Sequence, residues 1–153
     1  PIYSKITKKK YKDQDKEFKW LKTISNKKKS SVLCDTTINN YKVSVGTSLK
    51  FWEEKKWITE QDPYGWVQWY CRFYDGRRSP DDTRQITRWK KLAGPKGRFR
   101  KWLITLILKQ NTTWNDYHIS PKIRQTLQHW GYRLTKKNFE YEKNSRKKKL
   151  LII

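Results

Sequence analysis

The sequence predicts a mainly α fold: a compact bundle of about four to five short helices with an aromatic core, flanked by Lys-rich arms. Three observations carry this prediction. Helix-start chemistry recurs along the middle of the chain, as an oxygen-bearing side chain followed by Pro or by acids in the first turn. Nine Trp, nine Tyr and five Phe among 153 residues supply ring area for a core, although hydrophobic residues make up only 35% of the chain. The third observation is that Lys and Arg are distributed differently.

Residues 1–46 carry 12 Lys, no Arg and 4 acids, whereas residues 47–131 carry 17 basic and 8 acidic side chains and hold eight of the ten Arg. Residues 132–153 carry 8 basic and 2 acidic side chains. Lysine is a mobile point charge suited to nonspecific phosphate neutralisation, and arginine makes fixed bidentate or stacked contacts from a scaffold. The expected organisation is therefore a basic N-terminal arm over 1–46, a helical domain over 47–135 and a basic C-terminal tail over 136–153.

Within the N-terminal arm, "DQDKEFKWLKTI" suits a short helix with Phe18, Leu21 and Ile24 on one side. The basic run Lys27 to Lys29 follows, and then "VLCDTTINNYKVSVGTS", a β-branched stretch that reads as an extended segment or small hairpin. In the body, Thr47 is placed to cap "SLKFWEEKK", Asp62 with Pro63 opens "DPYGWVQWYCRFY", Ser79 to Asp82 opens the next helix, and Ser120 with Pro121 opens the last. Gly76, Gly94 with Pro95, and Gly131 are the matching stops. In "GRFRKWLITLILK", Phe99, Trp102, Leu103, Leu106 and Ile107 recur at three and four residues, the pattern of an amphipathic helix.

Set on a helix, "GWVQWYCRFYD" puts Gly65, Gln68, Arg72 and Asp75 in one narrow polar stripe. The rest of the circumference is apolar, so Trp66, Val67, Trp69, Tyr70, Phe73 and Tyr74 are expected to form core in preference to a platform for stacking bases.

Charge dominates the functional reading. With 37 Lys and Arg against 14 Asp and Glu, the net charge is +23, a field that attracts polyanions. Nucleic acid is the leading partner. Arg77 and Arg78 sit at a tight corner before the Ser79 helix start, where they either contact phosphate or are neutralised by Asp81 and Asp82. Arg84, Arg88 and Lys91 fall on one side of their helix, and Arg98, Lys101, Thr105 and Lys109 on the outer side of the next. Between them, "GPKGRFRK" adds Lys96 and Arg100 around two glycines that permit close backbone approach. From the arms, Lys8, Lys9, Lys10, Lys27, Lys28, Lys29, Lys147, Lys148 and Lys149 are expected to contribute counterion release. The second helix of this pair has no Asn or Gln in its first turns, so backbone contact is favoured over sequence-specific helix-turn-helix reading.

Other chemistries are disfavoured. Cys34, Cys71, His118 and His129 match no zinc-ligand spacing, and neither His has a neighbouring nucleophile. Glu53, Glu54 and Lys55 read as a solvated helix face, and Asp81 and Asp82 as helix-start acids. No enzyme activity, cofactor, metal or small-molecule substrate is expected. Two cysteines in so small a chain point to a reducing compartment. An apolar run of about 18 residues is missing, so membrane insertion is not expected. A chain that opens on Pro and contains no Met suits a mature protein that has lost its initiator Met, with no secretory or transit segment following.

Over "KKWITEQDPYGWVQWYCRFYDGRRSPDDTRQITRW", "GPKGRFRKWL" and "ISPKIRQTLQHWGY", the chain resembles a family of small Trp-rich proteins of large DNA viruses, fungi and some algae and protists. The resemblance covers residues 47–135. It implies a coherent domain to which the Lys-rich arms are elaborations, and it implies no activity, catalytic residue or ligand. The heavy use of Lys, Asn and Ile also suits an AT-rich coding genome.

The expected function is that of a non-enzymatic basic protein that binds DNA or RNA through the phosphate backbone, largely without sequence specificity, as a structural or packaging component of a larger particle. The alternative is a minor structural protein of a large DNA virus particle or other assembly that binds proteins through its arms. A DNA-processing enzyme is the third reading. The expected location is a reducing intracellular compartment, such as the nucleus, a viral factory or a virion interior.

Overall fold

The computed structural model describes residues 2–12, 14–29 and 34–150, and it gives the backbone but not the side chains of Ile2, Gln14, Lys27, Lys149 and Leu150. Mainly helical, it forms two compact units, one of Pro1–Asn39 with Gly46–Gln85 and one of Asn40–Val45 with Ile86–Ile153. These units do not follow the boundaries at 46 and 135 that charge distribution suggested.

The first unit opens with a small hairpin in which β1 (Ile2–Tyr3) pairs antiparallel with β2 (Lys10–Tyr11). Ser4 closes the turn, its N–H donating to the Lys9 carbonyl at 3.0 Å and its carbonyl accepting from the Lys8 N–H at 3.0 Å. The expected N-terminal helix is instead two 3₁₀ segments, Gln14–Glu17 and Lys19–Thr23, followed by α1 (Asn26–Lys29). Phe18 between the segments is buried, while Leu21 is half-buried and Ile24 exposed. Residues 34–48 contain turns and no strand, and the start of the stretch expected to be extended lies outside the described residues.

Two long-range ties fix this N-terminal region within the unit. Glu17 takes a bidentate pair from Arg72, at 2.7 and 2.9 Å, and the Trp20 indole N–H donates to Asp75 at 3.2 Å. A free Lys-rich arm has neither kind of anchor.

The helix α2 (Leu49–Glu54) is capped by Ser48, whose Oγ accepts from the Phe51 N–H at 3.2 Å. Thr47, the expected cap, accepts the Trp52 indole N–H at 2.6 Å instead. The next helix, α3 (Trp66–Tyr74), starts after Gly65, whose φ of 80° and ψ of −150° belong to a region open essentially to glycine alone. Gln68 reaches back so that its Oε1 accepts the Tyr64 N–H at 3.1 Å. Asp62, the expected helix opener, serves as a buried ion-pair hub, described below.

The faces of α3 depart from expectation in part: Asp75 is exposed and Trp69 buried as expected, but the rest of the polar stripe turns inward. Gly65 and Gln68 are buried and Arg72 half-buried, whereas Val67, Tyr70 and Tyr74 are exposed. Trp69 and Cys71 are buried, with Trp66 and Phe73 intermediate. A polar stripe turns inward when every polar group on it finds a partner there, because desolvation is then offset. Gln68 has the Tyr64 N–H, and Arg72 has Glu17 and Asp62.

α4 (Asp82–Leu92) begins with the expected Ser79 motif: Asp82 accepts the Ser79 N–H at 2.9 Å and the Ser79 hydroxyl at 2.8 Å. The second unit contains the rest of α4, α5 (Arg98–Lys109), α6 (Pro121–His129) and α7 (Lys136–Leu150). Its core gathers Ala93, Leu103, Ile104, Ile107, Ile123, Leu127, Leu134 and Phe139, and α5 packs against both α6 and α7. Phe99 and Leu106 lean on this core as expected, but Trp102 is 55% exposed and Ile104 takes an inward place. Arg124 is buried and organises the loop before α6, donating to the carbonyls of Trp114, Asp116 and Ile119.

The C-terminal residues expected to form a tail are helical through Leu150. Thr135 caps α7 through the Asn138 N–H, Phe139 enters the core, and Arg146 donates to the Thr105 hydroxyl at 2.8 Å.

Candidate nucleic-acid interface

In the first unit, the cations closest to the quoted aromatic helix are committed to carboxylates. The Asp62 side chain is 1% exposed and receives Arg77 at both oxygens, 2.7 and 2.6 Å, with Arg72 Nη1 at 3.0 Å. Arg77 is thus an internal ion-pair residue whose partner is Asp62, not Asp81 or Asp82. Asp81 holds Arg84, with Nη2 to Oδ2 at 2.8 Å. Asp82 is occupied by Ser79 and by the Trp69 indole N–H at 2.8 Å. Partial desolvation opposes its charge, but these donors outweigh it and hold the carboxyl below the ordinary Asp value.

Arg78 remains exposed at the exit of α3, yet it is not a loose cation. Its Nη1 donates to the carbonyls of Phe73 at 2.9 Å and Arg77 at 2.8 Å, and the guanidinium lies 4.0 Å from the Phe73 ring centroid. It closes the C-terminal end of α3, where unpaired carbonyls and the helix dipole favour a cation. Lys29 is paired with Asp15 at 2.8 Å, while Lys28 is exposed. The side chains of Lys27 and Lys149 lie outside the described residues. Lys8, Lys9 and Lys10 are exposed on the turn and second strand of the hairpin.

The second unit is electrostatically different. Its 19 basic residues face only 3 acidic ones, Asp116, Glu140 and Glu142. Glu142 is already paired with Arg146 at 2.9 Å. The positive charge of this unit therefore cannot be neutralised from within.

Much of that charge surrounds the α4–α5 corner. Lys90 and Lys91 end α4, Lys96 lies in the turn, and Arg98 and Lys101 open α5; all five are exposed. The corner is fixed by glycine packing and not by loop flexibility. A Cβ on Gly97 would stand 2.6 Å from the Leu92 carbonyl carbon and oxygen, and one on Gly94 2.7 Å from the Lys90 oxygen. Two expected contributors do not join this surface. Arg100 is 7% exposed, its guanidinium 4.8 Å from the Tyr132 ring centroid, and Arg88 is half-buried beside Trp130. Burial pushes the Tyr132 phenol up to about 12 even with Arg100 nearby. On the outer face of α5, Trp102 stands exposed beside Lys101, and Thr105 and Lys109 continue the polar side. Lys147 and Lys148 are exposed on the last turns of α7.

No family model, curated protein or solved structure matches this chain.

The side chains considered for catalysis are engaged elsewhere or lie apart. Glu53 accepts the Lys5 N–H at 2.9 Å, and His129 Nε2 is 3.1 Å from Gln125 Nε2. Cys71 is buried and its thiol pushed up to about 11, chiefly by desolvation, while Cys34 is exposed. Among the described residues no three His, Cys, Asp or Glu side chains group where they could hold a metal ion, and no helix is long and apolar enough to cross a membrane. A surface depression in the first unit, lined by Thr59, Glu60, Gln61, Pro80 and Asp81, carries two carboxylates and is a poor place for a phosphate.

Sequence reasoning assigned Trp66, Tyr70 and Tyr74 to the core, but Tyr70 and Tyr74 are exposed and the three form a row of rings on α3. Trp66 and Tyr70 stack with centroids 5.1 Å apart and planes at 17°, Tyr70 and Tyr74 follow at 6.5 Å, and Tyr74 meets Trp20 edge-on at 6.2 Å and 72°. The spacing of Trp66, Tyr70 and Tyr74 by four residues is the signal that announces the row. Nothing local to Trp20 announces its addition.

Proposed function

We propose that this protein is a non-enzymatic nucleic-acid-binding protein that contacts the phosphate backbone largely without sequence specificity, as a structural or packaging component of a larger particle. The observation that supports it most is the imbalance of the second unit, with 19 cations to 3 acids and five exposed cations at one rigid corner. A polyanion that displaces its own counterions onto such a surface gains affinity that depends on salt, whatever the base sequence. Sequence reading is not favoured: Arg100 is buried, and the first turn of α5 otherwise offers Arg98, Phe99 and Lys101.

The test is charge reversal in the full chain. Lys90→Glu, Lys91→Glu and Lys101→Glu together should flatten the log-log salt dependence of duplex DNA binding by about two to three units, at about 0.9 per phosphate contact. An unchanged slope overturns the placement of the interface. Polyglutamate bound as tightly as DNA of equal charge would favour an acidic protein partner instead.

A further inference from the structure

We propose that the ring row Trp66, Tyr70, Tyr74 and Trp20 is a stacking platform for the bases of single-stranded nucleic acid. The inference rests on the nucleic-acid reading above and names a strand type and a surface that the cationic corner does not specify.

The row is ordered, and three of its four rings are exposed, with Trp66 half-buried. Three of its rings occupy successive turns of α3, a span of about 12 Å for eight residue steps at the helical rise. Tyr74 is 72% exposed, Trp20 42% and Tyr70 39%. Trp66 and Tyr70 cover one face of each other by stacking, whereas Tyr74 and Trp20 meet near-perpendicular, which engages a face of only one of the two rings. Trp20 is held in place by its indole hydrogen bond to Asp75, so little side-chain freedom remains to be lost when a base docks.

Charge around the row suits a polyanion. Lys19 and Lys22, on the same 3₁₀ segment as Trp20, are exposed and have no acidic partner among the described residues. Of the nearby carboxylates, Glu17 is paired with Arg72, and Asp75, which accepts the neutral Trp20 indole N–H and keeps its charge, is outnumbered by Lys19 and Lys22. Exposed rings interleaved with lysines are the two elements that single-strand binders combine, stacking for the bases and cations for the backbone. A duplex keeps its bases stacked on one another and offers the rings only its backbone, so the platform discriminates strand type without reading sequence.

The experiment compares oligo(dT) with a duplex of equal phosphate number, using the full chain and following tryptophan fluorescence. Tyr74→Ala, at a side chain that is mostly solvated, and the pair Tyr70→Ala with Tyr74→Ala should each retain the parent circular dichroism spectrum. Each ring removed should weaken oligo(dT) binding by on the order of tenfold, with duplex binding and both salt slopes unchanged. Tyr70→Phe with Tyr74→Phe should keep parent affinity, because stacking needs the ring and not the hydroxyl. Oligo(dT) affinity that survives ring removal, or that falls equally with duplex affinity, overturns the platform while leaving the cationic interface standing. Failure of the parent chain to bind either polymer overturns both. A neutral glucan oligosaccharide that quenches the tryptophans where oligo(dT) does not would assign the row to sugars and overturn the inference.

Discussion

Arg77 grips Asp62 through both oxygens, at 2.7 and 2.6 Å, and the carboxylate it grips is 1% exposed. Arg72 adds a third contact at 3.0 Å from the neighbouring helix, so two cations converge on one carboxylate. Neutralising it leaves Arg77 without a carboxylate and Arg72 with Glu17 alone. Asp62→Asn should lower the stability of the protein by about 3 kcal/mol, the low end for breaking a buried pair because both arginines keep some solvent contact. Urea unfolding measures this, and a loss below about 1 kcal/mol would mean that water replaces the carboxylate.

The α4–α5 corner makes a steric prediction. With φ at −65°, Gly97 sits in a conformation that any residue can adopt, so an added methyl would cost nothing in backbone terms. The cost comes from the Leu92 backbone 2.6 Å away. Gly97→Ala should therefore destabilise by about 2 kcal/mol through overpacking, and it should weaken duplex binding as the cations around it lose their register. Thermal melts and binding isotherms on the same variant would record the two effects together.

Acid sensitivity follows from Asp82. Its carboxyl is held below the ordinary value in the folded state, so its contribution is fully present above the unfolded value of about 4 and is lost as pH falls through the lowered folded value. The stability gap between the parent and Asp82→Asn should hold steady from neutral pH to about pH 5 and close on further acidification. A gap independent of pH would show that the Ser79 and Trp69 contacts to Asp82 do not depend on its charge.

The two thiols should differ sharply. Cys34 is exposed, whereas Cys71 is buried and its pKa is pushed up to about 11, leaving almost no thiolate at neutral pH. Iodoacetamide should modify Cys34 in the native protein and reach Cys71 only after denaturation. Mass spectrometry of peptides from native and unfolded samples would establish the order, and equal rates would contradict the burial of Cys71.

Sequence alone exposed the parts of this fold that rest on local chemistry. The Ser79 motif and Ser120 with Pro121 stand at the starts of α4 and α6 as expected, although Ser120 is left-handed with φ at 50° and its hydroxyl caps nothing, and the GPKG turn breaks the chain between α4 and α5. What it could not expose depends on partners far along the chain. Arg72 and Glu17 are 55 residues apart, and that ion pair, with buried Phe18, draws a Lys-rich segment into the first unit. The same pair accounts for the half-burial of Arg72 on α3. Polarity alone predicts a pull toward water, but Gln68 and Arg72 are satisfied inside and Tyr70 and Tyr74 are left outside. In the candidate interface, charge was legible as composition, yet which cations are free was not. Arg77, Arg84 and Lys29 are taken by Asp62, Asp81 and Asp15, whereas Lys91, Lys96, Arg98 and Lys101 stay exposed. Trp102 departs from the expected core of α5 because Ile104 fills the inward position and Trp102 lies on the cationic side.

The central claim is that the cationic surface binds nucleic acid through its phosphates. The most direct measurement is the affinity of the full chain for one duplex, in two unrelated base sequences, across a series of salt concentrations. The account predicts a linear fall of log affinity with log salt, with a slope of several units and the same line for both sequences, each contact contributing about 0.9. Binding that is flat with salt, or that differs by more than about a hundredfold between the two sequences, would contradict it.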